Sequence, residues 1–229
     1  METKENGAAG SFFEKYGTAL AVLVGALIIG GAFAFGQGGD RSGQPAEPVA
    51  VDIKDVTMDN TPYIGDKNAK AVIAVWFDYQ CRFCKQFETT TIKQIIETYG
   101  DRVKIVYKDF QFLGVASNDA ALYSHAVWEA YPDQWGAWFA GMFEGGEEST
   151  LDVAGMDALS QRLGLDTARI QKLRTEKASE YQAIIDASRA EGQSFGITGT
   201  PGTIIGTTLL AGAQPFASVQ ALIDAELGN

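Results

Sequence analysis

The stretch that decides the fold is residues 71–87, AVIAVWFDYQCRFCKQF. Residues 71–79 are β-branched and aromatic, and they are too continuously apolar for a half-exposed strand, which predicts a strand buried on both faces. Cys81 and Cys84 follow as a Cys-x-x-Cys pair. Residues 85–100 then place apolar side chains at helical spacing and close with Gly100, a typical helix C-cap. The cysteines are therefore predicted to lie in the first turn of a helix, directly after a buried strand.

A helix N-terminus gives Cys81 the surroundings of a nucleophile. Unpaired backbone N–H groups and the positive end of the helix dipole stabilise a thiolate, which lowers a cysteine pKa into the range of about 3.5 to 7.5. Arg82 adds a positive charge, and Cys84 is one helical turn away, in reach of a mixed disulfide formed at Cys81. The pattern predicts a redox centre with Cys81 as nucleophile and Cys84 as resolving thiol.

Other roles for a Cys-x-x-Cys pair were compared with the redox role. A structural disulfide across so short a loop would stabilise the fold by only about 2 kcal/mol. A closed zinc site needs four ligands, and the chain has two cysteines and one histidine, His125. A copper site would be expected to add thioether or imidazole ligands close by, and Met58, Met142 and Met156 are not adjacent to the pair. The redox role is favoured, and metal carriage stays open as the alternative.

Length, composition and charge exclude several classes of protein. The chain has 229 residues, of which 46% are hydrophobic and 21% charged, which fits one folded domain of sizeable core and excludes wholesale disorder. The net charge of -11 repels phosphate backbones, so no nucleic-acid partner is expected. A run from residue 103 to 112, VKIVYKDFQF, alternates and predicts a second strand, so that residues 71–112 form a β-α-β unit.

The N-terminal part of the chain predicts a membrane anchor. Residues 16–36 are free of charged side chains, and about 20 apolar residues in a helix cover about 30 Å, the thickness of a bilayer core. A cleaved signal peptide is the competing interpretation, because Ala32-Phe33-Ala34 has the form of a cleavage site. The predicted organisation is a cytoplasmic leader (1–15), the anchor (16–36), a flexible linker (37–50) and a folded domain (51–229).

The rest of the domain is predicted to be mostly fold. Residues 117–190 have a helical pattern, and their aromatic side chains are expected to form a core rather than a substrate groove. His125 is expected to be a half-buried packing residue of this region. Residues 197–212 predict two strands joined by a turn at Gly206, and residues 215–227 a closing amphipathic helix.

Three motifs make the chain resemble a known family. Residues 63–69 (YIGDKNA), 78–84 (DYQCRFC) and 199–201 (GTP) are similar to those of the DsbA-like thiol:disulfide oxidoreductases of the thioredoxin superfamily. The resemblance implies a thioredoxin-like α/β fold, with a central mixed sheet, helices on both faces and a helical insertion. It also implies that the Thr200–Pro201 bond is cis and lies against the cysteines. There Thr200 and Pro201, with Arg82 and Phe83 inside the motif, would shape the site and bind substrate.

The chain departs from this family at two places. The family motif commonly begins with proline or contains histidine, whereas this chain has Arg82 and Phe83 between its cysteines. Many relatives carry a buried carboxylate six positions before the first cysteine as a proton shuttle, and that position is Val75 here. Asp78 is nearer to the pair, but on an alternating strand it would face away from the side of Val75, so the role does not transfer.

These features predict a bacterial protein thiol:disulfide oxidoreductase, an oxidase that forms disulfides in exported proteins. A reductase or isomerase of the same fold and a non-enzymatic metal- or client-binding module are the alternatives. The Cys81–Cys84 pair is expected to work without a metal or a further cofactor. The expected partners are exported cysteine-containing proteins, an unidentified membrane redox partner and the lipid bilayer, through residues 16–36. The oxidising chemistry places the domain outside the cytoplasm, on a single-pass anchor.

Overall fold

The computed structural model describes residues 50–144 and 151–228. The predicted leader and anchor, and all of the predicted linker except its last residue, lie outside these ranges. Among the helices of the described ranges, none combines the length and the apolar character needed to cross a bilayer.

A five-stranded sheet forms the centre of the fold, in the order β1-β3-β2-β4-β5. The strands are β1 (Tyr63–Gly65), β2 (Ala71–Phe77), β3 (Val103–Asp109), β4 (Gly202–Ile205) and β5 (Thr208–Ala211). β2 and β3 are parallel, and the other neighbouring pairs are antiparallel. The predicted mixed sheet is confirmed, including the turn between β4 and β5 at Gly206.

The helices lie before and after β3 and at the end of the chain. The segment after the cysteines is continuous and consists of α1 (Arg82–Phe87), a π-helical turn (Glu88–Ile92) and α2 (Lys93–Tyr99), with Gly100 as C-cap at φ 53°. Between β3 and β4 the helices are α3 (Val115–Ala130), α4 (Pro132–Glu144), α5 (Val153–Arg162), α6 (Thr167–Glu176) and α7 (Ala178–Ser194). The chain closes with α8 (Phe216–Leu227). The helical insertion is confirmed, and it begins earlier and ends later than predicted.

The continuous apolar run of β2 is explained by burial on both faces. Ile73, Val75 and Phe77 pack into the larger core, while Ala74 and Trp76 belong to a second core on the opposite face. Trp76 Nε1 donates to the backbone carbonyl of Ser188 at 3.0 Å, which joins α7 to the sheet.

The aromatic residues of the insertion form a core, as predicted. Trp135, Trp138, Phe139 and Phe143 are buried, and the rings of Trp135 and Phe139 stack at 4.7 Å. The prediction for His125 was wrong in degree, because His125 is buried and its Nε2 lies 2.8 Å from Asp109 Oδ2. A carboxylate at the end of β3 needs a partner once it is buried, and the histidine supplies it.

Both strands of the β-α-β unit end earlier than predicted. β2 ends at Phe77 rather than at residue 79, and β3 ends at Asp109 rather than at residue 112. The last paired residues are Phe77 and Asp109, after which Phe110 N–H donates to the Phe77 carbonyl at 3.0 Å and the two chains separate. Residues 78–80 and 110–114 are therefore turns, although their sequences continue the apolar pattern.

Candidate active site

The cysteine pair lies where the sequence predicts it, at the N-terminus of α1. Cys81 is the N-cap residue with extended backbone angles, and Cys84 lies within the first turn. Both are free thiols, with exposures of 6% for Cys81 and 1% for Cys84. An incoming sulfur can therefore reach Cys81 more readily than Cys84.

The surroundings of Cys81 favour its thiolate. A hydrogen bond from the Cys84 thiol contributes most, and with those from the Thr200 side chain and the Cys84 and Phe83 backbone it lowers the Cys81 pKa to about 5, against the opposing effect of burial. These donors are the helix-terminal N–H groups expected at such a position, together with one side chain from a distant segment. At neutral pH Cys81 is therefore ionised.

Cys84 is the opposite case. Burial raises the pKa of its thiol far above the ordinary value, and the neighbouring Cys81 raises it further. Two thiols this close share the first ionisation, so the pair loses one proton readily and holds the second. The proton that remains is on Cys84, where it donates to the Cys81 thiolate.

Thr200 and Pro201 lie against the pair, although they are distant in sequence. Their peptide bond is cis, and the Cys81 sulfur is 3.3 Å from the Thr200 carbonyl oxygen. The Thr200 hydroxyl is buried and has no nitrogen or oxygen partner among the described residues, which leaves its O–H for the sulfurs. Pro201 is followed directly by β4, which pairs with the central strand β2.

Arg82 and Phe83 form the outer surface of the motif. The Arg82 guanidinium lies over the Phe83 ring, 4.6 Å from its centroid, and both side chains are exposed. Hydrogen bonds account for the low Cys81 pKa, so the predicted contribution of the Arg82 charge stays a prediction.

Comparison with known proteins gives the same assignment as the geometry. A family model described as Thioredoxin matches residues 57–225. The chain belongs to this family. Disulfide bond formation protein D of Bacillus subtilis (strain 168) is 30% identical over 111 residues, which are 47% of this chain and 45% of the relative. The match thus spans less than half of that relative's length.

Solved structures extend the comparison of this thioredoxin-family chain. The thiol-disulfide exchange protein α-DsbA2 from Wolbachia pipientis is 25% identical with a TM-score of 0.66, covering 72% of this chain and 86% of that one. The oxidised form of BdbD from Bacillus subtilis has a TM-score of 0.70, covering 80% of this chain and 100% of that one, and at 18% identity it shows the fold alone. The predicted DsbA-like thioredoxin fold is confirmed.

The place of the missing proton shuttle is filled by apolar packing. Val75 is fully buried, and its register partners in the sheet are Tyr107 and Thr203. The nearest substitute is Glu88, one helical turn beyond Cys84, which sequence reasoning missed. Burial raises the pKa of Glu88 to about 8, partly offset by the Tyr107 hydroxyl that donates to its Oε2 at 3.1 Å. The four-residue spacing from Cys84 was the available signal for this residue.

Asp78 is placed differently from what the strand pattern predicts. It lies in the turn after β2, and its fully buried carboxylate accepts hydrogen bonds from both the active-site turn and the segment after β3. The sequence analysis also missed Ser117, whose hydroxyl is one of these donors. Nothing in the local sequence around Ser117 indicates that it contacts the active-site turn.

Proposed function

We propose that this chain is a membrane-anchored protein thiol:disulfide oxidoreductase that oxidises cysteine pairs of exported proteins. The carrying observation is the division of roles between the cysteines, because Cys81 is the thiol with a pKa of about 5 and Cys84 is the buried thiol that keeps its proton. The printed names of the relatives, a disulfide bond formation protein and a thiol-disulfide exchange protein, support the same chemistry.

The reaction consists of two exchanges at sulfur. In the oxidised enzyme a client thiolate attacks Cys81 Sγ, the Cys81–Cys84 bond breaks, and Cys84 leaves and takes up a proton. The second client thiolate then attacks the client sulfur of the mixed disulfide, and Cys81 leaves as a thiolate. The client loses two electrons and two protons, the enzyme gains both electrons and one proton, and one proton goes to solvent. Cys81 is a good leaving group because its thiolate is stable.

The same stability sets the preferred direction. A low-pKa thiolate stabilises the reduced form, which raises the reduction potential and makes the disulfide form an oxidant. An oxidase is therefore favoured over a reductase or isomerase. The pair supplies the redox chemistry without a further cofactor. Reoxidation requires a membrane redox partner that accepts two electrons.

The anchor and the compartment are part of this proposal. The uncharged residues 16–36 would insert into the lipid bilayer and hold the domain outside the cytoplasm, where disulfides persist. A membrane-impermeant thiol reagent applied to intact cells should then label Cys81, and labelling only after lysis would contradict the topology.

The metal-carrier alternative has no specific observation in its favour. Within residues 50–144 and 151–228, no three His, Cys, Asp or Glu side chains come together in a group that could hold a metal ion.

Trapping of intermediates tests the proposed function. Cys84→Ala leaves the nucleophile but removes the resolving thiol, so mixed disulfides between Cys81 and clients should accumulate in cells and disappear on reduction. Cys81→Ala is the matched control and should accumulate none. Absence of conjugates in Cys84→Ala, together with one tightly bound metal ion per reduced wild-type chain, would replace the oxidoreductase by the metal carrier.

A further inference from the structure

One buried carboxylate joins the redox turn to the segment that follows β3. Asp78 Oδ1 accepts from Gln80 N–H at 2.8 Å and from Ser117 Oγ at 2.5 Å. Asp78 Oδ2 accepts from the N–H groups of Phe112 and Leu113 at 2.8 and 3.0 Å. Four charge-assisted hydrogen bonds from three segments therefore end on one side chain.

The backbone of Asp78 contacts the cysteines as well. Its carbonyl accepts from Cys81 N–H at 3.1 Å. Burial raises the pKa of Cys84, and a hydrogen bond from the Asp78 backbone partly offsets that rise. A displacement of Asp78 would therefore move both the redox pair and the segment after β3.

The segment that Asp78 holds is apolar and exposed. Phe112, Leu113 and Val115, which we call the apolar corner, are 45%, 44% and 78% exposed, and Phe83 in the redox motif is 47% exposed. The fifth large apolar side chain exposed in the described residues is Ile96, at 38%. Exposed apolar side chains grouped in one place indicate an interaction surface.

The apolar corner lies beside the turn that carries Cys81. A Cβ added at Gly114, in the middle of the corner, would stand 3.5 Å from Gln80 Oε1. Gln80 directly precedes Cys81. The Cα atoms of two disulfide-bonded cysteines are about 4.4 to 6.8 Å apart, so residues flanking a client cysteine must contact the surface around Cys81.

We propose that Asp78 is a positioning residue that holds the apolar corner beside Cys81, where the corner binds apolar side chains flanking the cysteine of an extended client segment. This inference rests on the proposed function, since only the mixed disulfide brings such a segment to this place. The client class is a polypeptide that still exposes apolar residues next to its cysteines, as a chain does before it has folded.

The chemistry of the carboxylate suggests the variant that tests this role. In Asp78→Asn only the amide oxygen can accept hydrogen bonds, and the amide nitrogen is a donor. If the oxygen keeps Gln80 and Ser117, the nitrogen faces the N–H groups of Phe112 and Leu113, which releases the corner without changing the size of the side chain.

The experiment compares two dithiol peptides that differ only in the residues beside their cysteines, leucine in one and serine in the other. The oxidised full-length protein should oxidise the leucine peptide with about tenfold higher kcat/KM, about 1.4 kcal/mol, mainly through KM. In Phe112→Ser with Leu113→Ser this preference should fall to about twofold or less, with oxidation of the serine peptide retained. Ile96→Ser is the matched control, which removes an exposed apolar side chain roughly 18 Å along the helix from Cys84, and it should keep the preference.

The role of Asp78 itself is read from coupling. Asp78→Asn should lose the preference for the leucine peptide, and adding Phe112→Ser to it should have no further effect, since the corner is already displaced. If Asp78→Asn does not fold, Ser117→Ala, which removes one donor, should lower the preference partly. A full preference in the folded Asp78→Asn variant, or in the corner variant, would overturn the inference. If the wild type oxidises neither peptide, the proposed function fails instead.

Discussion

Replacing Cys84 by alanine should change the Cys81 pKa, because it removes the largest contribution to the stability of the thiolate. The Cys84 thiol donates to the Cys81 sulfur and is the first cause of the lowering of that pKa to about 5. A hydrogen bond to a charged group contributes about 1.5 to 3 kcal/mol, and one pKa unit corresponds to about 1.36 kcal/mol. The Cys81 pKa in Cys84→Ala should therefore rise by one to two units, to about 6.5.

The change is measured as the rate of Cys81 alkylation against pH. At about pH 5.5 the ionised fraction should fall from about three quarters to about one tenth, so alkylation by iodoacetamide should slow about eightfold. Above about pH 8 the thiol is ionised in both proteins, and the rates should agree. In the reduced wild type, mass spectrometry should find the label on Cys81, because Cys84 keeps its proton.

Cys84→Ser is the matched control, because its hydroxyl still donates to the Cys81 sulfur while the second thiol is lost. Its midpoint should stay nearer to that of the wild type than to that of Cys84→Ala. The reasoning is refuted if Cys84→Ala titrates with the wild-type midpoint, or if wild-type Cys81 titrates near the ~8.5 of a free cysteine.

Three further predictions concern the potential, the motif and the packing. The Cys81 pKa falls from 9.0 to about 5, which at pH 7 stabilises the reduced form about 100-fold and should raise the reduction potential by about 60 mV over an ordinary dithiol. Since a depressed pKa stabilises above it, this difference should disappear as pH falls through about 5, measured against glutathione buffers. Arg82→Glu should raise the Cys81 pKa by less than about one unit, because an exposed charge is screened, as alkylation would show. Gly192→Ala should destabilise the fold by about 1 to 3 kcal/mol in urea, because its Cβ would lie 2.7 Å from the buried ring of Trp76, whereas Gly199→Ala, with open space around its Cβ, should not.

Local sequence was sufficient for the elements that carry the cysteines. A run of β-branched and aromatic residues can be stable only where both faces are covered, and β2 has a core on each side. Helical spacing after Cys81 predicted α1 and α2, and Gly100 predicted their end. These signals act over a few residues, so they can be read directly from the chain.

Local pattern gave the wrong result where a distant group changed the backbone path. Residues 78–80 and 110–112 continue the alternation of their strands, yet both leave the sheet after the Phe77–Asp109 pair. The carboxylate of Asp78 accepts from residues 34 and 35 positions later, and these bonds stabilise a turn instead of two further ladder pairs. Strand propensity cannot report a bond of that kind, because propensity reflects neighbours in sequence.

The sequence by itself determined the redox pair, its place at a helix N-terminus and the general character of the fold, because periodicity and helix-end electrostatics are local properties. Only the tertiary structure decided what tunes that pair. The Thr200 carbonyl meets a sulfur 119 residues away, and the Tyr107 hydroxyl meets Glu88 across the packing of a helix on the sheet. Contacts of this range depend on how the crossover and the insertion pack, so burial, and with it the opposite pKa shifts of Cys81 and Cys84, appears only once the chain has folded.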